Sequence, residues 1–302
     1  MVCTWVPHES RAGRRVQKVW DVTARFAAVV ELADHLRCEG IERVVLEATS
    51  DYWRIWFYLL EAAGLQVWLV NARDVKNVPG RPKTDKLDSI WLCKLNERGM
   101  LRPSFVPPEE IRDLRALTRL RTTLTAGCSR HKQRAEKILE DALVKVSAVV
   151  SDLFGKSGRA MMRALVAGER DPKVLAGLAL GRLRPKQAQL AGALTGRFRD
   201  VHAYEIGLLL DLAETLEARI TELDGKIEAH LAALPGVPPA CASCGLIGGG
   251  HAPGCGSHGA RLLSLVERLD EITGVGVVTA QVIIAELGLD MGQFPAAGHA
   301  SA

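Results

Sequence analysis

Aromatic residues make up only 5% of the 302-residue chain. A surface that reads nucleic acid mainly by stacking bases on successive rings is therefore not expected. Long apolar runs are also missing: no stretch of about 18 uncharged apolar residues occurs, the length a membrane-spanning helix needs. Met1 is not followed by the basic, apolar and small-residue segments of a secretory leader, so a cytoplasmic protein without a membrane partner is expected. Of seven cysteines, Cys3, Cys38, Cys93 and Cys128 stand singly. Scattered thiols of this kind read as small core residues. What the chain does have is a 48% hydrophobic content, enough for one large core or for two to three smaller ones.

The net charge of +4 is unevenly placed. Between Asn71 and Glu140, 16 Lys and Arg stand against 9 Asp and Glu, a local excess that suits a polyanionic partner. A solvated helix face would have the same composition. MVCTWV, VQKVWDV, RVVLEA and QVWLVN read as strands, with AAVVELADHLRC and DYWRIWFYLLEAAG as helices among them. Ser50 is the expected N-cap of the second helix and Gly64 its end. Short strands alternating with helices predict an open α/β sheet with a parallel region. From Glu109 the apolar spacing becomes helical and runs on through HKQRAEKILEDALVKV, behind Pro107 and Pro108. A second long helix is expected over about 202–233, with Leu209, Leu212, Leu216, Ile220, Leu223 and Ile227 as a coiled-coil seam.

Three acids carry the chemistry. Glu47 follows Val44-Val45-Leu46 at the carboxyl end of a strand, where open α/β sheets gather reactive groups. Asp85 and Asp88 lie three residues apart, so on a helix they share one face. Asp85 as an N-cap with Asp88 returning to the cap amide is the structural alternative. A strand-end acid with a helical acid pair, next to Lys76, Arg81 and Lys83, is what a divalent-metal phosphodiester site requires, because Mg²⁺ or Mn²⁺ takes hard oxygen ligands while the bases draw in phosphates.

LEATSDYW, followed by LVNARDVKNVPGRPKTDKLDSIWLCKLNERGMLRPSFVPP, resembles the catalytic domain of insertion-sequence transposases of the one-ten family, relatives of the pilin-inverting recombinases. The likeness continues through LFGKSGRAMMRALVAGERDP to ITGVGVVTAQVIIAELG. It implies a ribonuclease H-like α/β catalytic domain over 1–106 with a metal site of Asp, Glu, Asp and Asp. A mainly α region with long coiled-coil-type helices over 107–234 would follow. By position, Glu47 matches the family's glutamate, and Asp85 and Asp88 its last two aspartates. The family likeness further implies DNA of the mobile element and its target as partners, a structured guide RNA, and a homo-oligomer. No residue matches the first aspartate, carried by the family on an opening strand, and the serine used for strand transfer lies in a segment the chain does not reach. A chain truncated at both ends, with its first strand missing and its activity impaired, is expected. The alternatives are a non-catalytic nucleic-acid-binding protein and a junction-type nuclease.

Three further features belong to the same reading. Cys241, Cys244, Cys255 and His258, spaced as two close pairs across a glycine-rich loop in the 235–260 insertion, suit a structural tetrahedral Zn²⁺, with His251 an alternative fourth ligand. In the 261–302 segment, Gly274 and Gly276 give a helix-hairpin-helix-like turn whose amides suit a phosphate. Arg112, Arg115 and Arg119 lie on one side of the first long helix, as a nucleic-acid backbone surface or as a solvated face.

Overall fold

In the computed structural model, residues 1–8, 14–48, 50–72, 84–234, 264–294 and 298 are described. The chain divides into two compact units, Met1–Val106 and Pro107–Ala302.

In the first unit, β1 (Val2–Pro7) and β2 (Arg15–Trp20) pair antiparallel, with Val2 opposite Trp20 and Pro7 opposite Arg15. α1 (Phe26–Cys38) follows, burying Val29, Leu32, Ala33 and Leu36, a spacing of three and four that places them on one stripe. β3 (Arg43–Ala48) and β4 (Gln66–Asn71) pair parallel, Glu47 opposite Val70. Parallel neighbours require a crossover, and α2 (Arg54–Ala62) supplies it. Gly64, at φ +82°, lets the chain leave α2 in the left-handed region. Ser50 does not cap α2: the helix begins after Trp53 with no side-chain cap, and Ser50 itself sits at φ +48°.

α3 (Asp85–Glu97) completes this unit. The period of two along β3 sorts its side chains. Val44 packs with Leu32, Leu36 and Leu60 from α1 and α2, whereas Val45 packs with Leu95 and Trp91 of α3. The strands therefore have helices on both faces. The expected single sheet is not formed; among the described residues there are two two-stranded sheets, β1 with β2 and β3 with β4.

The second unit is built on two long helices, α4 (Glu109–Asp141) and α8 (Asp200–Ala233). Glu109 and Glu110 occupy the first turn of α4, where the helix dipole favours anions. α4 stops at Asp141, short of the expected Val146. Leu143 takes φ +62°, its amide bonds Glu140 O at 2.9 Å, and the Val144 amide bonds Leu139 O at 2.8 Å. That is a Schellman stop, made by leucine where glycine is usual. α5 (Lys156–Val166), α6 (Pro172–Gly177) and α7 (Gln187–Leu194) lie between the long helices in sequence, and α9 (Leu265–Asp270) and α10 (Val277–Leu287) follow them.

The seam of α8 differs from the expected one in its first half. Ile206, Leu210 and Ala213 are buried, with Leu223 and Ile227 further along. Leu212, assigned to the seam by spacing, is 39% exposed. Spacing alone does not separate the two registers, because Val201, Tyr204, Leu208 and Leu212 make a second apolar stripe, exposed on this helix. One core joins the end of α4 to α5, α6, α7 and the start of α8 through Ile138, Leu139, Met161, Leu175, Leu190 and Ile206. Another joins the start of α4 to the end of α8 and to α10 through Leu114, Leu223, Ile227 and Ile284. Among the described residues no helix is long and apolar enough to cross a membrane.

Gly158 sits where a Cβ would lie 1.9 Å from the Leu153 carbonyl oxygen. Gly158→Ala is expected to destabilise the chain by about 1–3 kcal/mol through overpacking, measured as a lowered denaturation midpoint; an unchanged midpoint would refute the close approach.

Candidate metal and nucleic-acid sites

The α3 N-terminus resolves the double reading of its two aspartates. Thr84 is the N-cap, its hydroxyl accepting from the Leu87 amide at 3.4 Å. Asp85 is therefore not the cap. Asp85 and Asp88 both stand in the first turn, where exposed N–H dipoles stabilise negative charge. Asp85 is exposed and Asp88 half-buried.

Glu47 is half-buried at the carboxyl end of β3. It lines a cavity of about 860 Å³ in the first unit, and Ser89, the residue after Asp88, lines it too. Neither Asp85 nor Asp88 lines it. The three acids are not gathered into a finished centre: no group of three or more His, Cys, Asp or Glu is placed to hold a metal ion among the described residues. The oxygen chemistry of Glu47, Asp85 and Asp88 fits a hard divalent cation, while their placement leaves the ligand set incomplete. Lys76, Arg81 and Lys83 lie outside the described residues, as do Cys241, Cys244, Cys255 and His258.

Two thiols meet in the same cavity. The Cys93 thiol donates to the Cys3 carbonyl at 3.3 Å. A hydrogen bond from Cys93 lowers the Cys3 thiol pKa, and the same bond together with burial pushes that of Cys93 up. Both line the cavity. Their scattered spacing predicts small core residues, whereas both are only half-buried.

In the second unit Arg112, Arg115, Arg119 and Arg121 of α4 are engaged by partners within the chain. Arg115 donates to the Ala285 and Glu286 carbonyls at 3.0 and 2.6 Å, at the carboxyl end of α10. Cations there complement the helix dipole and the unsatisfied carbonyls. Arg119 makes a two-pronged pair with the Glu286 carboxylate, both bonds 2.8 Å, the geometry that suits a planar guanidinium. Arg121, only 5% exposed, bonds Asp224 Oδ1 of α8 at 3.0 Å and also Gln281 Oε1 of α10. Arg112 reaches back to the Pro107 carbonyl at 3.2 Å. Lys132 is paired as well, with Glu217 of α8 at 2.7 Å. Burial alone would raise the Glu217 pKa, but bonds from Lys132 and Arg159 outweigh it and hold the carboxyl low.

Sequence spacing identified the arginine row but not its partners. Glu286, Gln281 and Asp224 carried no local signal, since Arg119 and Glu286 are 167 positions apart. The cations on α4 for which no intramolecular ion pair is found among the described residues are Arg130, Arg134 and Lys137, all exposed. At i, i+4 and i+7 they form one stripe about 10 Å long. Gly274 stands at φ +90° in the turn between α9 and α10, and Gly276 is the N-cap of α10.

Residues 9–143 match the family model described as “Transposase”, that of the DEDD transposases of the one-ten insertion sequences. This segment is similar to the transposases of the one-ten insertion-sequence family. No curated protein matches the chain.

Two outcomes test the arginine clamp. Arg121→Leu leaves Asp224 and Gln281 without their donor and is expected to cost about 1.5–3 kcal/mol, read from denaturant unfolding; a loss under about 0.5 kcal/mol, within the range of an exposed pair, would refute the clamp. The Glu286 pKa is lowered by its bond to Arg119. A carboxyl held low in the folded state contributes stability above its unfolded pKa and loses it as pH falls through the folded one. Hydrogen-exchange protection of α10 should therefore be full at neutral pH and decline below about pH 4, and Glu286→Gln should remove that decline.

Proposed function

We propose that the chain is a DNA transposase of an insertion sequence, cleaving and joining strands with a divalent metal. The transposase match over 9–143 carries this reading, and that segment contains Glu47, Asp85 and Asp88. In this proposal a ribonuclease H-like catalytic unit places Glu47 at a strand end and the two aspartates at a helix start. Mg²⁺ or Mn²⁺, when bound, would polarise the scissile phosphate. The chain's own part is to supply oxygen ligands, with Lys76, Arg81 and Lys83 to attract the DNA backbone. Arg130, Arg134 and Lys137 are the cations of α4 best supported as a nucleic-acid surface, because Arg115, Arg119 and Arg121 are engaged by α8 and α10. Gly274 and Gly276 are proposed to present hairpin amides to a phosphate, as in a helix-hairpin-helix. A guide RNA and zinc in the Cys-rich insertion belong to the same proposal. The exposed stripe Val201, Tyr204, Leu208 and Leu212 supports self-association.

One observation favours a second reading, a nucleic-acid-binding protein without catalysis: among the described residues the acids do not form a group able to hold a metal. Metal titration separates the two. On the first reading Mn²⁺ binds the full chain, Glu47→Gln and Asp88→Asn each remove that binding, and DNA affinity persists. Unchanged Mn²⁺ affinity in both variants would overturn the site. For the surface, Arg130→Glu with Arg134→Glu is expected to weaken DNA binding and reduce its salt slope by roughly 2; an unaltered slope would place the DNA elsewhere.

A further inference from the structure

Residues 172–199 contain no acid. Lys173, Arg182, Arg184, Lys186, Arg197 and Arg199 stand there, bounded by Asp171 and Asp200. On the neighbouring helices cations are answered by acids: Arg159 and Arg163 of α5 pair with Glu217, Glu214 and Asp211 of α8. Within 172–199 that pattern breaks. Arg199 bonds His202, but the side chains of Lys173, Arg182, Arg184, Lys186 and Arg197 make no ion pair or hydrogen bond among the described residues, and all five are exposed.

Local structure fixes where these charges stand. α6 packs against α7, and α7 against a 3₁₀ turn, Gly181–Lys186. Leu175, Ala176, Leu190 and Leu194 are buried in the core of the unit, and Leu183 packs against it. A 3₁₀ turn has three residues per turn, so with Leu183 facing the core, Arg182 and Arg184 fall on the two outward sides. Lys186 stands one turn, about 6 Å, beyond Leu183. Gly181 enters the turn at φ +56°, and no atom beyond its chain neighbours lies within 4 Å of where its Cβ would be. The surface beside Arg182 is therefore bare. Three cations within five positions are held outward on a packed base, and their mutual repulsion is relieved by a polyanion.

The surroundings select the kind of polyanion. Of the large apolar side chains in 172–199 only Val174 and Leu180 are exposed, too little for a face that enters a bilayer. The one aromatic ring, Phe198, is half-buried beneath Arg170, so unpaired bases find no stacking platform. A duplex offers phosphates instead, one charge per about 1.7 Å of DNA axis. We propose that Arg182, Arg184 and Lys186, flanked by Lys173 and Arg197, form a binding surface for the phosphate backbone of duplex DNA, positioning it without reading sequence. The choice of DNA among duplexes rests on the transposase reading, whereas the charge pattern stands without it.

The test follows binding of the full chain to a labelled DNA duplex of arbitrary sequence across a salt series. Arg182→Gln, Arg184→Gln and Lys186→Gln combined should reduce the slope of log affinity against log salt by roughly 2.7. The denaturation midpoint should not move, because the replaced side chains have no partner in the chain. Arg182→Lys with Arg184→Lys retains the charge and should retain the slope. A slope lost from a chain that binds no Mn²⁺ would sink the catalytic reading and leave this surface standing. An unaltered slope in the glutamine variant would overturn the proposal, as would an effect confined to a hairpin RNA or to phosphatidylserine vesicles, or no DNA binding by the unaltered chain.

Discussion

Backbone pairing is the constraint from which the first unit follows. Every strand carries donors and acceptors along two edges, and burial of either without a partner is costly. β3 and β4 meet it on one side through a parallel ladder, with α2 as the crossover that such a ladder demands. That ladder fixes the end of β3, and with it Glu47. The other edge of β3 and one edge of β1 have no strand neighbour among the described residues, and both strands line the 860 Å³ cavity.

In the second unit the governing fact is a charge withdrawn from water. Arg121 lies between three helices and needs acceptors from each; Asp224 and Gln281 provide them. Arg115 and Arg119 extend the same seam along the carboxyl end of α10. The basic composition of α4 is thus spent largely on holding α8 and α10, and its outward cationic character falls to Arg130, Arg134 and Lys137. A positive segment of sequence is in this way divided between structural and solvent-facing work.

The elements were legible where periodicity was strong. The four strands followed from short apolar runs and a parallel region from their alternation with helices, and the glutamates opening α4 followed from its proline start. What could not be read depends on distant partners. Nothing in RVVLEA tells whether its second edge is covered, and nothing near Arg119 announces Glu286. The stop at Leu143 was hidden because a left-handed leucine has no local marker, unlike glycine. The acids were found by residue type, but whether three carboxylates converge is a property of the fold, and here the described residues fall short of it.

α4 and α8 are each about 50 Å long and are anchored by two different apolar clusters, one near each end. Between those anchors lie mainly polar joints and small side chains, Glu217 with Lys132 and Arg159, and Cys128 facing the Ala213 carbonyl. Such a pair behaves as a spar pinned at both tips. Unzipping at the α10 tip does not require melting the α5–α7 tip, so the two extremities have separate opening energies and the spar outlasts the loss of either.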